Sequence, residues 1–307
     1  IRLAGFDTES RREILELARQ TLDVIGRLCK VLPTALVAAA IRPSMSRREL
    51  KAALAPLLDA MAAAGANLET TDVAAESGVG APVVDYRPDL GILVVGFLEG
   101  VTLTNADMQR PGVLARVATG CKALHSGPRF RDSFNMFERQ PAYLKAVQDN
   151  GFRLPDGYLD FADTFTEVQQ VLERTDQTTV PCNNDLLAGN FVDTGERVWI
   201  IDYEYSGNND PCFELGNIWG ECGLSTEQLD ELVTLYYGRP LRHKAARARL
   251  QGIVAKYGWT LWGCIQNGSS ALDFDFWDWA TQRYESAVAE FHGRDFARLL
   301  SDAQALD

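Results

Sequence analysis

Acidic and carboxamide side chains surround two short apolar runs between residues 181 and 217. Asp185 and Asn190 precede the first run and Asp202 follows the second, with Asp193 to Glu196 between the runs. Aspartate and glycine between β-branched or aromatic runs predict a hairpin turn. A hairpin would bring Asp185, Asn190 and Asp202 to the same end of a two-stranded unit. That end would hold two carboxylates and a carboxamide.

This set of side chains suits phosphoryl transfer from a nucleotide. The reaction needs one carboxylate to orient an attacking hydroxyl and accept its proton, and oxygen ligands to hold Mg²⁺ on the phosphates. We predict Asp185 as the base and Asn190 and Asp202 as metal ligands. The alternative is a pair of capped turns with exposed acids. The spacing D-x-x-x-x-N, followed twelve residues later by Asp after an apolar strand, is typical of the protein-kinase catalytic loop and favours catalysis.

The two segments around these residues resemble a known family. They are C-N-N-D-L-L-A-G-N-F at 182–191 and I-D-Y-E-Y-S-G-N-N-D-P-C-F-E-L-G-N at 201–217. Both resemble the choline/ethanolamine kinase family, relatives of the aminoglycoside phosphotransferases, and the similarity extends over roughly residues 73–291. Asn183 stands where the family usually has His, and Glu214 where it commonly has Asp. In kinases that His supports the loop through hydrogen bonds, which Asn can partly provide.

The resemblance implies an α+β, protein-kinase-like fold with two lobes. Residues 1–99 would form a small N-lobe sheet with a helical insertion at about 9–71, and residues 100–307 a mainly helical C-lobe that carries the catalytic and substrate sites. The resemblance also implies ATP as the donor and Mg²⁺ as the cofactor. Within the insertion, apolar residues at helical spacing predict one helix from Glu9 to Lys30, and a capping box at Ser46–Glu49 begins another.

Nucleotide-binding residues are expected in the N-lobe. Arg2 is similar to the cation that contacts the phosphates in this family, although a frayed terminal strand is the alternative. Glu69 is the nearest candidate for its acidic partner. Two strands are predicted at 82–86 and 90–97, and the backbone of Phe97, Leu98 and Glu99 would then pair with adenine; a plain hairpin predicts the same residues.

Aromatic residues that follow Asp202 suggest a pocket for a cation. A quaternary ammonium group cannot donate hydrogen bonds, and aromatic faces hold it with a carboxylate nearby. The resemblance places Tyr205, Trp259, Trp262 and Trp279 around such a cation, with Phe276 completing the wall and Glu221 as the counter-charge. Core packing is the alternative for aromatic residues on helices.

Composition is consistent with a globular, cytoplasmic protein. The net charge of −12 opposes a nucleic-acid surface and suits a small cationic substrate. Six scattered cysteines without C-x-x-C favour reduced thiols, and the three histidines lack metal-ligand spacing. We find no apolar run of about 20 residues and expect no membrane span. The apolar faces of the insertion make a homodimer plausible.

The sequence thus predicts a kinase that phosphorylates the hydroxyl of choline or a related amino alcohol. An aminoglycoside-type phosphotransferase is one alternative, but its polyamine substrate would need several acids, whereas this pocket is rich in aromatic residues. A catalytically silent, kinase-like choline-binding protein is another. The helical insertion and Asn183 motivate it. So does the glycine-rich loop that the family has before the residue matching Arg2, which either precedes Ile1 or is replaced by another way of holding ATP.

Overall fold

Short antiparallel strands lie between residues 83 and 209 of the computed structural model, which describes residues 73–87, 92–175 and 178–305. Arg2, Glu69 and the predicted helical insertion lie outside these residues. The strands are β1 (Val83–Arg87), β2 (Ile92–Val95), β3 (Val101–Thr102), β4 (Val180–Cys182), β5 (Phe191–Asp193), β6 (Val198–Ile200) and β7 (Gly207–Asn209). Helices make up most of the remainder, as an α+β fold requires.

The strands pair into three small sheets. β1 pairs with β2, β4 pairs with β7, and β5 lies between β3 and β6, all antiparallel. In the β5–β6 pair, Phe191 faces Ile200 and Asp193 faces Val198. The hairpin predicted from the apolar runs is therefore confirmed, and its turn lies at the end away from residues 190 and 201.

Eight α-helices belong to the described residues. They are α1 (Val113–His125), α2 (Met136–Asp149), α3 (Ala162–Glu173), α4 (Pro211–Glu221), α5 (Thr226–Tyr237), α6 (Arg242–Ser269), α7 (Phe276–Phe291) and α8 (Phe296–Asp302). None of these helices combines the length and the apolar character that crossing a bilayer requires. The larger of two cores in the described residues joins residues of α1 to α8 with those of β5 and β6, and the smaller holds Ala81 and Val95.

Helix α6 is the centre of this core because small residues let its neighbours approach closely. A Cβ atom added at Gly216 of α4 would overlap the Ala248 carbonyl oxygen of α6, and one at Gly252 would lie 2.6 Å from the Gly216 oxygen. The two helices therefore cross with their backbones in contact. This crossing holds Phe213 and Glu214, in the first turn of α4, against the residues that follow β4.

A lysine is buried beside the same helix crossing. Lys256 of α6 is 8% exposed, and its Nζ lies 3.7 Å from the centroid of a Trp219 ring. Its methylene groups cover Gly220, where an added Cβ would come within 3.0 Å of Lys256 Cε. Burial lowers the pKa of Lys256 from its ordinary 10.5 to about 8.

This lysine makes a testable contribution to stability. Between pH 8 and 10.5 the unfolded chain binds a proton that folded Lys256 has released, so its contribution to the free energy of unfolding rises with pH. Below that range the full cost of the buried ammonium applies. We expect Lys256→Met to be more stable than the parent by roughly 2 to 3 kcal/mol at neutral pH, since one pKa unit corresponds to about 1.4 kcal/mol.

Urea unfolding of both proteins from neutral pH to about pH 10 measures this contribution. Thiols and phenols of the unfolded chain also titrate over this range, so the difference between the two proteins isolates Lys256. The advantage of Lys256→Met should shrink as pH rises, and a difference that stays constant would show that Lys256 keeps its ordinary pKa.

Candidate active site

Residues 183–190, which we call the catalytic segment, follow β4, and hydrogen bonds link them to the residues that follow β6. Asn190 donates from Nδ2 to the Asp185 carbonyl oxygen at 2.7 Å. The Asn190 carbonyl in turn accepts the Ile201 N–H at 3.0 Å, one residue before Asp202. The hairpin therefore brings together the backbone segments that carry all three predicted catalytic and metal-binding residues.

Asn183 strengthens this link from the position where the family usually has His. Its Nδ2 donates to the carbonyl oxygens of Ile201 and Asp202 at 3.2 and 2.6 Å, and its Oδ1 accepts the Asp185 N–H at 3.0 Å. One carboxamide thus joins the backbone of Asp185 to the backbone of Asp202. This is the supporting role that the sequence assigned to Asn in place of His.

Two residues of the site have left-handed backbone. Asn184 has φ 68° and Asp202 has φ 64°, and no other non-glycine residue of the described chain has positive φ. This conformation costs a non-glycine residue about 1 kcal/mol or more. Asn184 is held by its own side chain, which donates to the carbonyls of Cys182, Tyr205 and Gly207 and accepts from Asn209 Nδ2 at 2.8 Å.

A fully buried carboxylate of α4 supports the backbone of residues 183 and 184. Glu214 of α4 accepts the Asn183 N–H at 3.0 Å on Oε1 and the Asn184 N–H at 2.7 Å on Oε2. His125 Nε2 lies 3.4 Å from Oε1, and His125 Nδ1 lies 2.7 Å from the Tyr236 hydroxyl. Glu214 thus pairs two buried N–H groups that would otherwise lack an acceptor.

Glu214 also belongs to a buried group with metal-binding residue types. His125, Cys182 and Glu214 each have a potential ligand atom within 4.8 Å of the others. Hydrogen bonds already engage both carboxylate oxygens and the histidine Nδ1, and Cys182 Sγ lies 3.7 Å from the Asn209 carbonyl. Burial raises the pKa of the Cys182 thiol well above its usual value, which disfavours the thiolate that a metal prefers. We interpret the group as a support for the catalytic segment.

The predicted aromatic residues lie close together and form what we call the aromatic wall. Its members are Tyr205, Trp259, Trp262, Phe276 and Trp279. Trp262 contacts Trp279 and Phe276 edge to face, with centroid distances of 5.3 and 5.9 Å. Tyr205 contacts Trp259 at 5.1 Å. Burial raises the pKa of Tyr205, and a hydrogen bond with Trp262 opposes that shift, which places these two side chains side by side.

The wall differs in accessibility from one residue to the next. Trp259 is 3% exposed, and its indole N–H donates to Asn217 Oδ1 at 3.0 Å, so it also packs in the core. Tyr205, Trp262 and Trp279 are half-buried. Both interpretations of these aromatic residues therefore apply, the core role to Trp259 and to Phe276, which is 7% exposed, and an accessible surface to the other three.

Glu221, the predicted counter-charge, lies beside the wall at the end of α4. It forms a two-point ion pair with Arg283 of α7, in which Arg283 Nε lies 3.1 Å from Oε1 and Arg283 Nη2 contacts Oε2. An internal cation therefore already compensates this carboxylate.

The predicted adenine-binding residues connect β2 to β3. Phe97 is 78% exposed, Glu99 is exposed, and Leu98 packs partly against Val95 and Ala81. At the start of this segment, the Gly96 N–H donates to the Pro82 carbonyl at 2.7 Å. Its role in binding adenine stays a prediction.

One residue near Asp185 lies outside every motif found in the sequence. Tyr143 of α2 is half-buried, and burial raises the pKa of its phenol. Arg139 opposes this shift and the negative charge of Asp185 adds to it, so Tyr143 lies within electrostatic reach of Asp185. Tyr143 also raises the pKa of Tyr205. A tyrosine in the middle of a helix carries no sequence signal of such proximity.

Known proteins resemble the chain in both sequence and fold. A family model described as choline/ethanolamine kinase matches residues 91–232. The crystal structure of a choline/ethanolamine kinase family protein from Mesorhizobium loti is 32% identical with a TM-score of 0.72, covering 76% of this chain and 82% of that one. Protein LicA of Haemophilus influenzae is 27% identical over 235 residues, covering 73% of this chain and 64% of LicA.

These similarities, with the sheet and helices described above, define a protein of the kinase-like, two-lobed class. Aminoglycoside 2'-phosphotransferase-IIIa shares the fold, with a TM-score of 0.54 at 16% identity. Within that class the chain belongs to the choline/ethanolamine kinase family, whose members are phosphotransferases with an alcohol group as acceptor. The resemblance noted in the sequence is confirmed.

Proposed function

We propose that the chain transfers the γ-phosphoryl group of ATP to the hydroxyl of choline or a related amino alcohol, with Mg²⁺ as cofactor. The observation that carries the proposal is the hydrogen-bonded link between the segments of Asp185, Asn190 and Asp202 in a member of this family. Asp185 orients the hydroxyl and accepts its proton, which leaves the attacking oxygen free to bond to phosphorus.

The donor atoms at this site suit a magnesium ion. Mg²⁺ prefers oxygen ligands, and the carboxylate of Asp202 and the carboxamide of Asn190 both offer them. Because Asn190 uses its Nδ2 on the Asp185 carbonyl, its Oδ1 is the side-chain atom that can bind a cation. When bound, the ion would neutralise charge on the nucleotide phosphates.

The aromatic wall supports a cationic acceptor. Exposed or partly desolvated aromatic faces bind an ammonium group with roughly 0.5 to 2 kcal/mol per ring. Tyr205 and Trp262 are half-buried neighbours, and the negative Asp185 acts on Tyr205, so the base and the wall belong to one site. We place the reaction in the cytoplasm, where ATP is available and where the five described cysteines, all free, would stay reduced.

A panel of acceptors tests the function. The full chain is incubated with ATP and Mg²⁺ and with choline, ethanolamine or an aminoglycoside, and ADP release is followed. We expect turnover with at least one of the two amino alcohols and none with the aminoglycoside, since the wall offers aromatic faces and few acids to a polyamine. Turnover with the aminoglycoside alone would contradict the proposal. Choline binding without ADP release would indicate a catalytically silent protein.

A further inference from the structure

Arg283 connects the aromatic wall to Glu221. Its guanidinium carbon lies 3.3 Å from the centroid of a Trp279 ring, so the planar group stacks on one face of the indole. Its Nη1 donates to the Trp279 carbonyl at 3.3 Å, one helical turn earlier on α7. The side chains of Arg283 and Glu221 are only 17% and 9% exposed, which makes this a shielded stack and not a surface contact.

Trp279 is restrained from other directions as well. A Cβ added at Gly263 of α6 would lie 2.9 Å from Trp279 Cε3, so the indole packs directly on the backbone of that helix. Trp262 meets it edge to face with an interplanar angle of 60°. Between Gly263, Trp262 and Arg283 the indole has little freedom to rotate.

The charge of Glu221 is balanced within the protein. Arg283 pairs with both of its oxygens, and Glu221 also raises the pKa of nearby Lys256 against the effect of burial. Two cationic side chains of the protein therefore interact with the same carboxylate. An ammonium group of a substrate would meet a compensated charge at this point.

We propose that Arg283 is a positioning residue of the acceptor site, which fixes the Trp279 indole as part of the wall, and that Glu221 holds Arg283 in place. This role replaces the counter-charge that the sequence suggested for Glu221. The inference rests on the proposed function, because it assumes that the alcohol enters beside the wall. The guanidinium occupies one face of Trp279, so cation binding falls to Tyr205 and Trp262 while Trp279 supplies shape.

Two acceptors separate positioning from charge compensation. Choline carries a positive charge, and its neutral analogue, with carbon in place of nitrogen, has the same shape. A residue that only positions the wall affects the KM of both alcohols, whereas a direct counter-charge affects the KM of choline alone.

The variants are Arg283→Met, Arg283→Lys and Glu221→Gln. We expect Arg283→Met to raise the KM of choline and of its analogue by similar factors, on the order of tenfold for a loss near 1.4 kcal/mol. The KM of ATP and kcat should change by less than about threefold, because the lost contacts bind the acceptor equally well in the ground state and in the transition state. Arg283→Lys keeps the charge without the planar stack and should resemble Arg283→Met. Glu221→Gln should shift both alcohols together.

Arg153 provides a matched control. Its guanidinium carbon lies 3.5 Å from the centroid of a Trp277 ring, so Arg153→Met removes a similar stack on the same helix α7 and should leave both KM values unchanged. Unchanged KM values in Arg283→Met would overturn the inference. So would a Glu221→Gln protein that loses affinity for choline alone, since that result identifies a direct counter-charge.

Tryptophan fluorescence separates failure of this inference from failure of the proposed function. A parent protein that binds choline without turnover would defeat the function alone, and the same variants would then be compared by their affinity for the two alcohols. A parent protein that neither binds nor phosphorylates either alcohol would defeat both. Thermal unfolding identifies any variant that does not fold, and Arg283→Lys then replaces Arg283→Met in the comparison.

Discussion

Replacing Asp185 with Asn should lower kcat by about a thousandfold, while the KM values of ATP and of the acceptor change little. General-base assistance contributes roughly 10²- to 10⁴-fold to such reactions, and a carboxamide cannot accept the proton. The variant should fold normally, because Asp185 contacts Asn183 and Asn190 through its backbone N–H and carbonyl, which Asn retains. Steady-state kinetics with thermal unfolding of the same samples measures both effects.

Glu196→Gln is the control for this variant. Glu196 is an exposed acid in the turn between β5 and β6, at the far end of the hairpin, so its removal changes net charge equally. Its activity should match the parent. If Asp185→Asn kept its kcat within about tenfold of the parent, a general-base contribution of 10²-fold or more would be ruled out. Asp185 would then not be the base.

Glu214→Gln should lose both stability and activity. The carboxylate accepts one backbone N–H on each oxygen, and an amide would turn its NH₂ toward one of these donors. An unpaired buried donor costs about 1 to 3 kcal/mol, so we expect roughly 2 to 4 kcal/mol in total, which is large against the 5 to 15 kcal/mol of a typical domain. Loosening residues 183 and 184 should also lower kcat. Urea unfolding and kinetics at low temperature report the two losses separately.

Glu290→Gln is the matched change on α7. Glu290 pairs with Arg249 through its side chain, and both are 18 to 19% exposed. Partly exposed pairs of this kind contribute about 1 kcal/mol or less, and this one lies away from the catalytic segment. Equal losses in the free energy of unfolding for the two variants would show that the hydrogen bonds from Glu214 to the backbone contribute no more stability than a partly exposed ion pair.

Local patterns in the sequence were sufficient to predict the hairpin and some of the helices. The apolar runs on either side of Asp193 to Glu196 predict the β5–β6 pair. Apolar residues at helical spacing from Leu114 to Ser126 likewise predict α1 almost to the residue. Helix α2 is different, because the sequence predicts a helix only from Tyr143 to Asn150. The structure begins it at Met136, after Asn135 accepts the Phe137 N–H, and accommodates Pro141 inside the helix.

The parts of the site that could not be predicted depend on contacts between distant residues. Arg283 and Glu221 are 62 positions apart, and His125 and Glu214 are 89 apart. Residue type alone marked Glu221 as an acid near aromatic residues, which is compatible with either a substrate or an arginine as partner. Only the packing of both α4 and α7 against α6 selects the arginine. By contrast, Asp185 and Asn190 are neighbours in the chain, so their relation could be inferred from spacing.

The central claim is that Asp185 acts on an alcohol while ATP supplies the phosphoryl group. Its most direct measurement is the ³¹P NMR spectrum of choline, ATP and Mg²⁺ incubated with the parent protein or with Asp185→Asn at equal concentration. We predict that the γ-phosphate signal declines and a phosphomonoester signal appears with the parent only, and that a chelator of Mg²⁺ prevents it. A phosphomonoester signal that grows equally fast with Asp185→Asn would contradict the claim.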